Sequence, residues 1–158
     1  MNKQEKKEIL EELESEFRKA KQKYKIKTEL EELDKLFGIK DKILRDGFVS
    51  AHLIRRIAYA EVELFMSWFN EFNSWLFPTG FDFVHGTEIK KFDEKDKKNI
   101  SELFGMTARV NRKISVLGEH DDAENAKLID ELVDTAKKEF WPKLNPILKK
   151  AQKIWEEG

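Results

Sequence analysis

The stretch that decides the fold is Phe48 to Phe77, FVSAHLIRRIAYAEVELFMSWFNEFNSWLF, thirty positions without a Gly or a Pro. At about 100° per residue, Ile54, Ile57, Ala58, Leu64, Phe65, Trp68, Phe72, Trp75 and Leu76 fall on one broad face. His52, Arg55, Arg56, Tyr59, Glu63, Asn70 and Ser74 collect on the other. Asp46 or Ser50 is placed to cap the start, and Pro78 with Gly80 closes the end. The pattern predicts a long central helix over about 48–77. The same residues argue against a membrane span. His52, Arg55, Arg56, Glu61 and Glu63 interrupt a run in which about twenty apolar positions would be required.

Working outward, helical spacing recurs on both sides. Leu10, Leu13, Phe17, Ala20 and Tyr24 step by three and four through a first helix over about 3–24, glutamate-rich early and lysine-rich late, as the helix dipole favours. The register slips at Lys25–Lys27, and Thr28 with Glu31 reads as a capping box for a second helix ending at Gly38. A short turn of helix over 40–45 leads into the central one. Pro78 to Phe92 reads as an irregular aromatic segment. Asp93 then caps a helix to about Leu117, and Asp121 or Asp122 starts the next. Pro142 is expected to kink or stop that helix at Trp141, leaving Asn145 and Pro146 to begin a final one. No segment alternates at period two. The expectation is an all-α helical bundle of five or six helices, one domain over 1–158.

Composition sets further bounds. The chain has 158 residues, 30 basic against 31 acidic, net charge −1, so charge gives no reason to expect nucleic acid or an anionic membrane. Cysteine is absent, which removes disulfides, thiol nucleophiles and sulfur-ligated zinc. The first sixteen residues are charged and hold no apolar core segment, so no signal peptide is expected and a cytoplasmic location follows. Abundant Lys and Glu, 39 % charged residues and no Cys are the composition of thermophilic proteins.

Few residues invite chemistry. Glu61 lies near the middle of the apolar face of the central helix, where an ionised, unpaired carboxylate costs several kcal/mol. It is a candidate general base or metal ligand inside the bundle, or else a core residue paired to a neighbouring helix. No His has Glu three residues before it, so the di-iron bundle pattern is missing. Asn111 shares an inward stripe with Ile100, Phe104, Thr107 and Ile114, where a single Asn fixes register or partner choice, or could donate its amide to Glu61. His85 with Asp82, and His120 with Glu124, could each hold a divalent cation. Their plainer roles are a solvated loop and acidic helix caps. The basic run Arg18, Lys19, Lys21, Lys23, Lys25 and Lys27 wraps its helix instead of lining one face, beside a compensating acidic segment.

Eighteen aromatic residues remain, and Phe48, Phe69, Phe77, Phe81 and Phe83 fall off the main stripe or in the loop. Such rings fill a second core face or form an interface. The reading is a non-enzymatic helical protein-interaction module, a homodimer joined through its aromatic surface or first helical hairpin, with no cofactor. The alternative is a small-ligand binder or metal-dependent enzyme with a polar pocket around Glu61, Asn111 and His85.

Overall fold

A computed structural model describes residues 1–158, whose regular elements are all helices, with no β-strand. The elements are α1 Lys3–Tyr24, α2 Leu30–Phe37, α3 Ile39–Asp46, α4 Leu53–Leu76, α5 Phe83–Lys91, α6 Glu94–Arg112, α7 Ile114–Leu117, α8 Asp122–Thr135, a π-helical turn Ala136–Phe140, and α9 Trp141–Glu156. The all-α class is as expected. The short helices α3, α5 and α7 carry the number of segments past five or six.

Local chemistry explains the breaks. Asn2 starts α1 in a reciprocal capping box, its side chain accepting from Glu5 N–H at 2.9 Å while Glu5 accepts from Asn2 N–H at 2.7 Å. The chain leaves α1 at Lys25, which adopts φ +57°, the left-handed conformation that usually falls to Gly. The break expected at 25–27 is therefore present. The expected Thr28–Glu31 box is not. Glu29 occupies the cap position of α2 without a side-chain bond, and Thr28 turns to Asp130 on α8 instead. Gly38, at φ +64°, ends α2 and begins α3 in a single residue.

The central helix is shorter than the 48–77 expected. Gly47 stands at φ +82°, and Ser50 Oγ accepts from His52 N–H at 3.0 Å, a local bond that competes with helix and holds 48–52 as a bend. Conversely, the supposed irregular segment contains α5, capped by Asp82 through His85 N–H at 3.1 Å. Asp93 caps α6 as expected and closes a reciprocal pair with Asp96. That helix ends at Arg112 rather than Leu117, and α7 follows it.

At the other end, Pro142 neither stops the chain nor leaves Asn145 to start a new helix. It lies in the first turn of α9, where a missing N–H costs least. The π-turn just before it takes up the misfit, with Trp141 N–H reaching back to Ala136 O.

Residue contacts group into two compact units, Met1–Leu64 with Lys113–Asp134, and Phe65–Arg112 with Thr135–Gly158. The first has an aliphatic core in which Leu13, Leu33, Ile43, Ile57 and Ile129 are fully buried. The second is built on rings. Phe140, delivered by the π-turn, lies edge-on to Phe65 at 5.1 Å, Phe72 at 6.1 Å and Trp68 at 6.3 Å.

Candidate functional site

In the first unit Glu61 occupies the middle of the buried arc of α4. Leu53, Ile54, Ile57, Ala58, Ala60, Val62 and Phe65 are buried with it, which spreads the apolar contact over roughly 200° of the helix. Its own exposure is 0 %, and neither carboxylate oxygen has a hydrogen-bond partner. Burial pushes the Glu61 carboxyl well above its ordinary range, and the charge of Asp130 adds to the shift. Asn111 does not donate its amide to Glu61, because both carboxylate oxygens are unpartnered and Asn111 is itself only half-buried.

A second buried polar residue was not singled out from the sequence. Asn125 on α8 is fully buried, its amide donating to Leu117 O at 3.3 Å while its Oδ1 has no partner. The signal was available, since Asn125 sits at helical spacing with Leu128, Ile129 and Leu132.

Asp130, the charge that acts on Glu61, is a clamp for the α1–α2 linker. It accepts from Lys27 N–H at 3.0 Å, Thr28 N–H at 3.1 Å and the Thr28 hydroxyl at 2.7 Å. One groove of this unit is lined by Tyr24, Thr28, Asp130 and Asp134, another by Phe17, Arg18, Lys21 and Leu30. Glu61 lines neither.

The second unit gathers a different set. Asp82 and His85 do meet: His85 Nδ1 lies 2.8 and 2.9 Å from the two Asp82 oxygens. Glu71, near the end of α4, completes the arrangement with an oxygen 2.8 Å from His85 Nε2. Nothing in the sequence singled out Glu71, which reaches His85 from fourteen residues away. Burial of the ring works against its protonation. Hydrogen bonds to Glu71 and Asp82, with their charge, outweigh burial and raise the His85 pKa above its ordinary value. The His85 bond correspondingly lowers Asp82.

One turn further along α5, Glu88 is buried and receives two indole N–H groups, from Trp75 at 2.6 Å and Trp155 at 2.7 Å. Trp75 also meets the His85 ring edge-on at 5.9 Å.

The other metal candidate separates. Glu124 and Asp121 form the reciprocal cap of α8, at 2.8 and 2.9 Å, and His120 Nδ1 is buried without a partner. No group of three or more His, Asp or Glu side chains is placed to hold a metal ion. In the basic run, Lys21 turns back to Ile26 O at 2.9 Å and to Glu29 at 3.2 Å, closing the end of α1.

Around Asp82 and the start of α5 the chain exposes rings. Phe81 is fully exposed (101 %), Phe83 is 74 % exposed and Val84 49 %. Phe83 lies 6.1 Å from the ring of Trp155, itself 44 % exposed. Phe77 borders the same turn and is packed edge-on to Phe104 at 6.3 Å, while Phe69 stacks on Phe104 at 4.8 Å. Phe48 is exposed in the first unit. No helix is long and apolar enough to cross a membrane.

No family model matches this chain, and no curated protein or solved structure is significantly similar to it.

Proposed function

We propose that this chain is a non-enzymatic protein-interaction module that pairs with a second copy of itself through the aromatic surface of Phe81, Phe83, Val84 and Trp155. The observation that carries the reading is the exposure of those side chains side by side on one unit. Together they present on the order of 500 Å² of apolar surface, taking roughly 200 Å² per ring, which is within the range of the largest patch of a monomer. Two such faces buried together remove about 1,000 Å² from water, the threshold for a specific interface.

Charge supports a second copy as the occupant. Lys90 and Lys91 at the end of α5, and Glu156 and Glu157 at the end of the chain, are all exposed, and Lys91 and Glu157 line one groove. Away from its axis, a two-fold interface sets residue i of the patch against residue j of the partner, and j against i. A patch with both signs at its edge is therefore complementary to itself. The alternative, a polar pocket around Glu61, has the unpartnered carboxyl in its favour, but a substrate would have to reach a side chain with no exposed surface.

Sedimentation equilibrium across micromolar to millimolar concentration tests the proposal. The chain should dimerise, and a Phe81→Ser/Phe83→Ser double variant should be monomeric with an unchanged far-ultraviolet spectrum. A chain that is monomeric throughout, a variant that still dimerises, or a monomer that pellets with lipid vesicles would each overturn it.

A further inference from the structure

The aromatic surface is carried by a helix that is not anchored by oil. Of the residues of α5, Glu88 alone is buried, so no apolar side chain of that helix is sunk in the core. Its attachments to other helices run through polar groups. His85 reaches Glu71 on α4, and Glu88 takes the indoles of Trp75 on α4 and Trp155 on α9. Ring contacts of Phe83 with Trp155 and of His85 with Trp75, and the approach of Pro78 Cβ toward Gly86, add to these.

A neutral imidazole has one N–H, and only the protonated ring has two. A carboxylate stands 2.8 Å from each ring nitrogen of His85, so both contacts are hydrogen bonds only when the ring is charged. When the ring is neutral, one nitrogen turns a lone pair toward a carboxylate oxygen. Asp82 meets Nδ1 with both oxygens and also caps the helix through His85 N–H. The remaining proton therefore stays on Nδ1. The contact given up is the one to Glu71, which ties α5 to α4.

Resting on the reading of this face as the pairing surface, we infer that His85 is a proton-operated latch that holds α5 on α4 and so sets Phe81, Phe83 and Val84 in their docking arrangement. Glu71 and Asp82 are the charges acting on the ring. Glu88, the next carboxylate along α5, has its oxygens occupied by the two indoles. The latch is closed below the ordinary histidine value near 6.5 and opens as pH rises through the raised value of the folded protein. Pairing should therefore be tighter in mildly acidic solution than in alkaline solution.

The experiment is amide hydrogen exchange across residues 83–91, corrected for the intrinsic pH dependence of exchange, with sedimentation run on the same samples. Protection in the wild-type chain should fall several-fold between about pH 6 and pH 9, as the ring loses the proton that its two carboxylate contacts require. Glu71→Gln should be flat over that range, because a glutamine amide can donate to the unprotonated Nε2. His85→Gln should show weak protection at every pH. Constant protection in the wild-type chain, or the same slope in Glu71→Gln, would overturn the latch. Loosening of 83–91 in a chain that sediments as a monomer at every pH would support the latch and retire self-pairing. A dimer whose protection and affinity ignore pH would do the reverse.

Discussion

Each unit of this protein buries carboxylates, and treats them oppositely. In the second unit Glu88 accepts two indole N–H groups, and Asp96 accepts Lys150 Nζ at 2.7 and 2.8 Å along with Asp93 N–H. In the first, Glu61 is more deeply buried and has no partner at all. The difference shows what makes a buried carboxylate tolerable. With donors it is a fixed polar joint between helices; without them it is held only by the packing around it, and burial disfavours its charged form. Neither the residue type nor its burial separates the two cases. The donors do.

The comparison can be broken at either end. Trp75→Phe removes one of the two donors of Glu88 and leaves a gap in the ring cluster. Unfolding in urea should show a loss of about 2–3 kcal/mol, most of it from the hydrogen bond to a buried carboxylate. Glu61→Leu should act in the opposite direction, stabilising at neutral pH by about 1–3 kcal/mol, because an unpaired polar group is replaced by an apolar one of similar volume.

The pH dependence sharpens the point. Native Glu61 keeps a proton that the unfolded chain releases near pH 4.3, so the folded state binds more protons over that window. Stability should fall as pH rises from about 4.3 through the raised native value, then level off. In Glu61→Gln this contribution should be absent in melts taken across the same range, leaving only the fall that His85 adds as pH rises above about 6.5. Equal slopes in the two proteins would contradict it.

A smaller effect tests the clamp beside Glu61. Thr28→Ala should cost about 1 kcal/mol in thermal unfolding, since Asp130 keeps its two backbone donors and loses only the hydroxyl. The smallest expected change is Lys25→Gly, a gain of roughly 0.5 kcal/mol from relief of the left-handed backbone at φ +57°.

What could be read in advance follows the range of the interactions. The all-α class and the isolation of Glu61 depend on helical period, which a short window of sequence contains in full. The caps at Asn2, Asp93 and Asp121 are within three residues of their partners, and two of the three were legible for that reason. Thr28 was misread because its partner is 102 positions away, so the local capping signal gave way to a tertiary one. The start of the central helix was misread because Ser50 and Gly47 fold back on their neighbours, whereas its end before Pro78 was read to within a residue. α5 escaped notice because its face toward the protein is polar, and a period search sees only oil.

Within the candidate sites, Asp82 and His85 were visible as a three-residue pair, whereas Glu71 and Glu88 acquire meaning only once α4 and α9 bring their side chains and indoles to α5. The exposed rings could be listed from the sequence, but which of them remain uncovered is a property of packing. Phe69 stacks on Phe104 while Phe81 is bare.

The most direct test is the carboxyl carbon resonance of Glu61, followed by NMR through a pH titration of the protein labelled at its glutamate side chains. The account predicts that this resonance holds the shift of the protonated acid well past pH 4.3, after the exposed glutamates have moved. A resonance that titrates along with theirs would mean the carboxylate is ionised in the folded chain, and the contrast between the two units would fall.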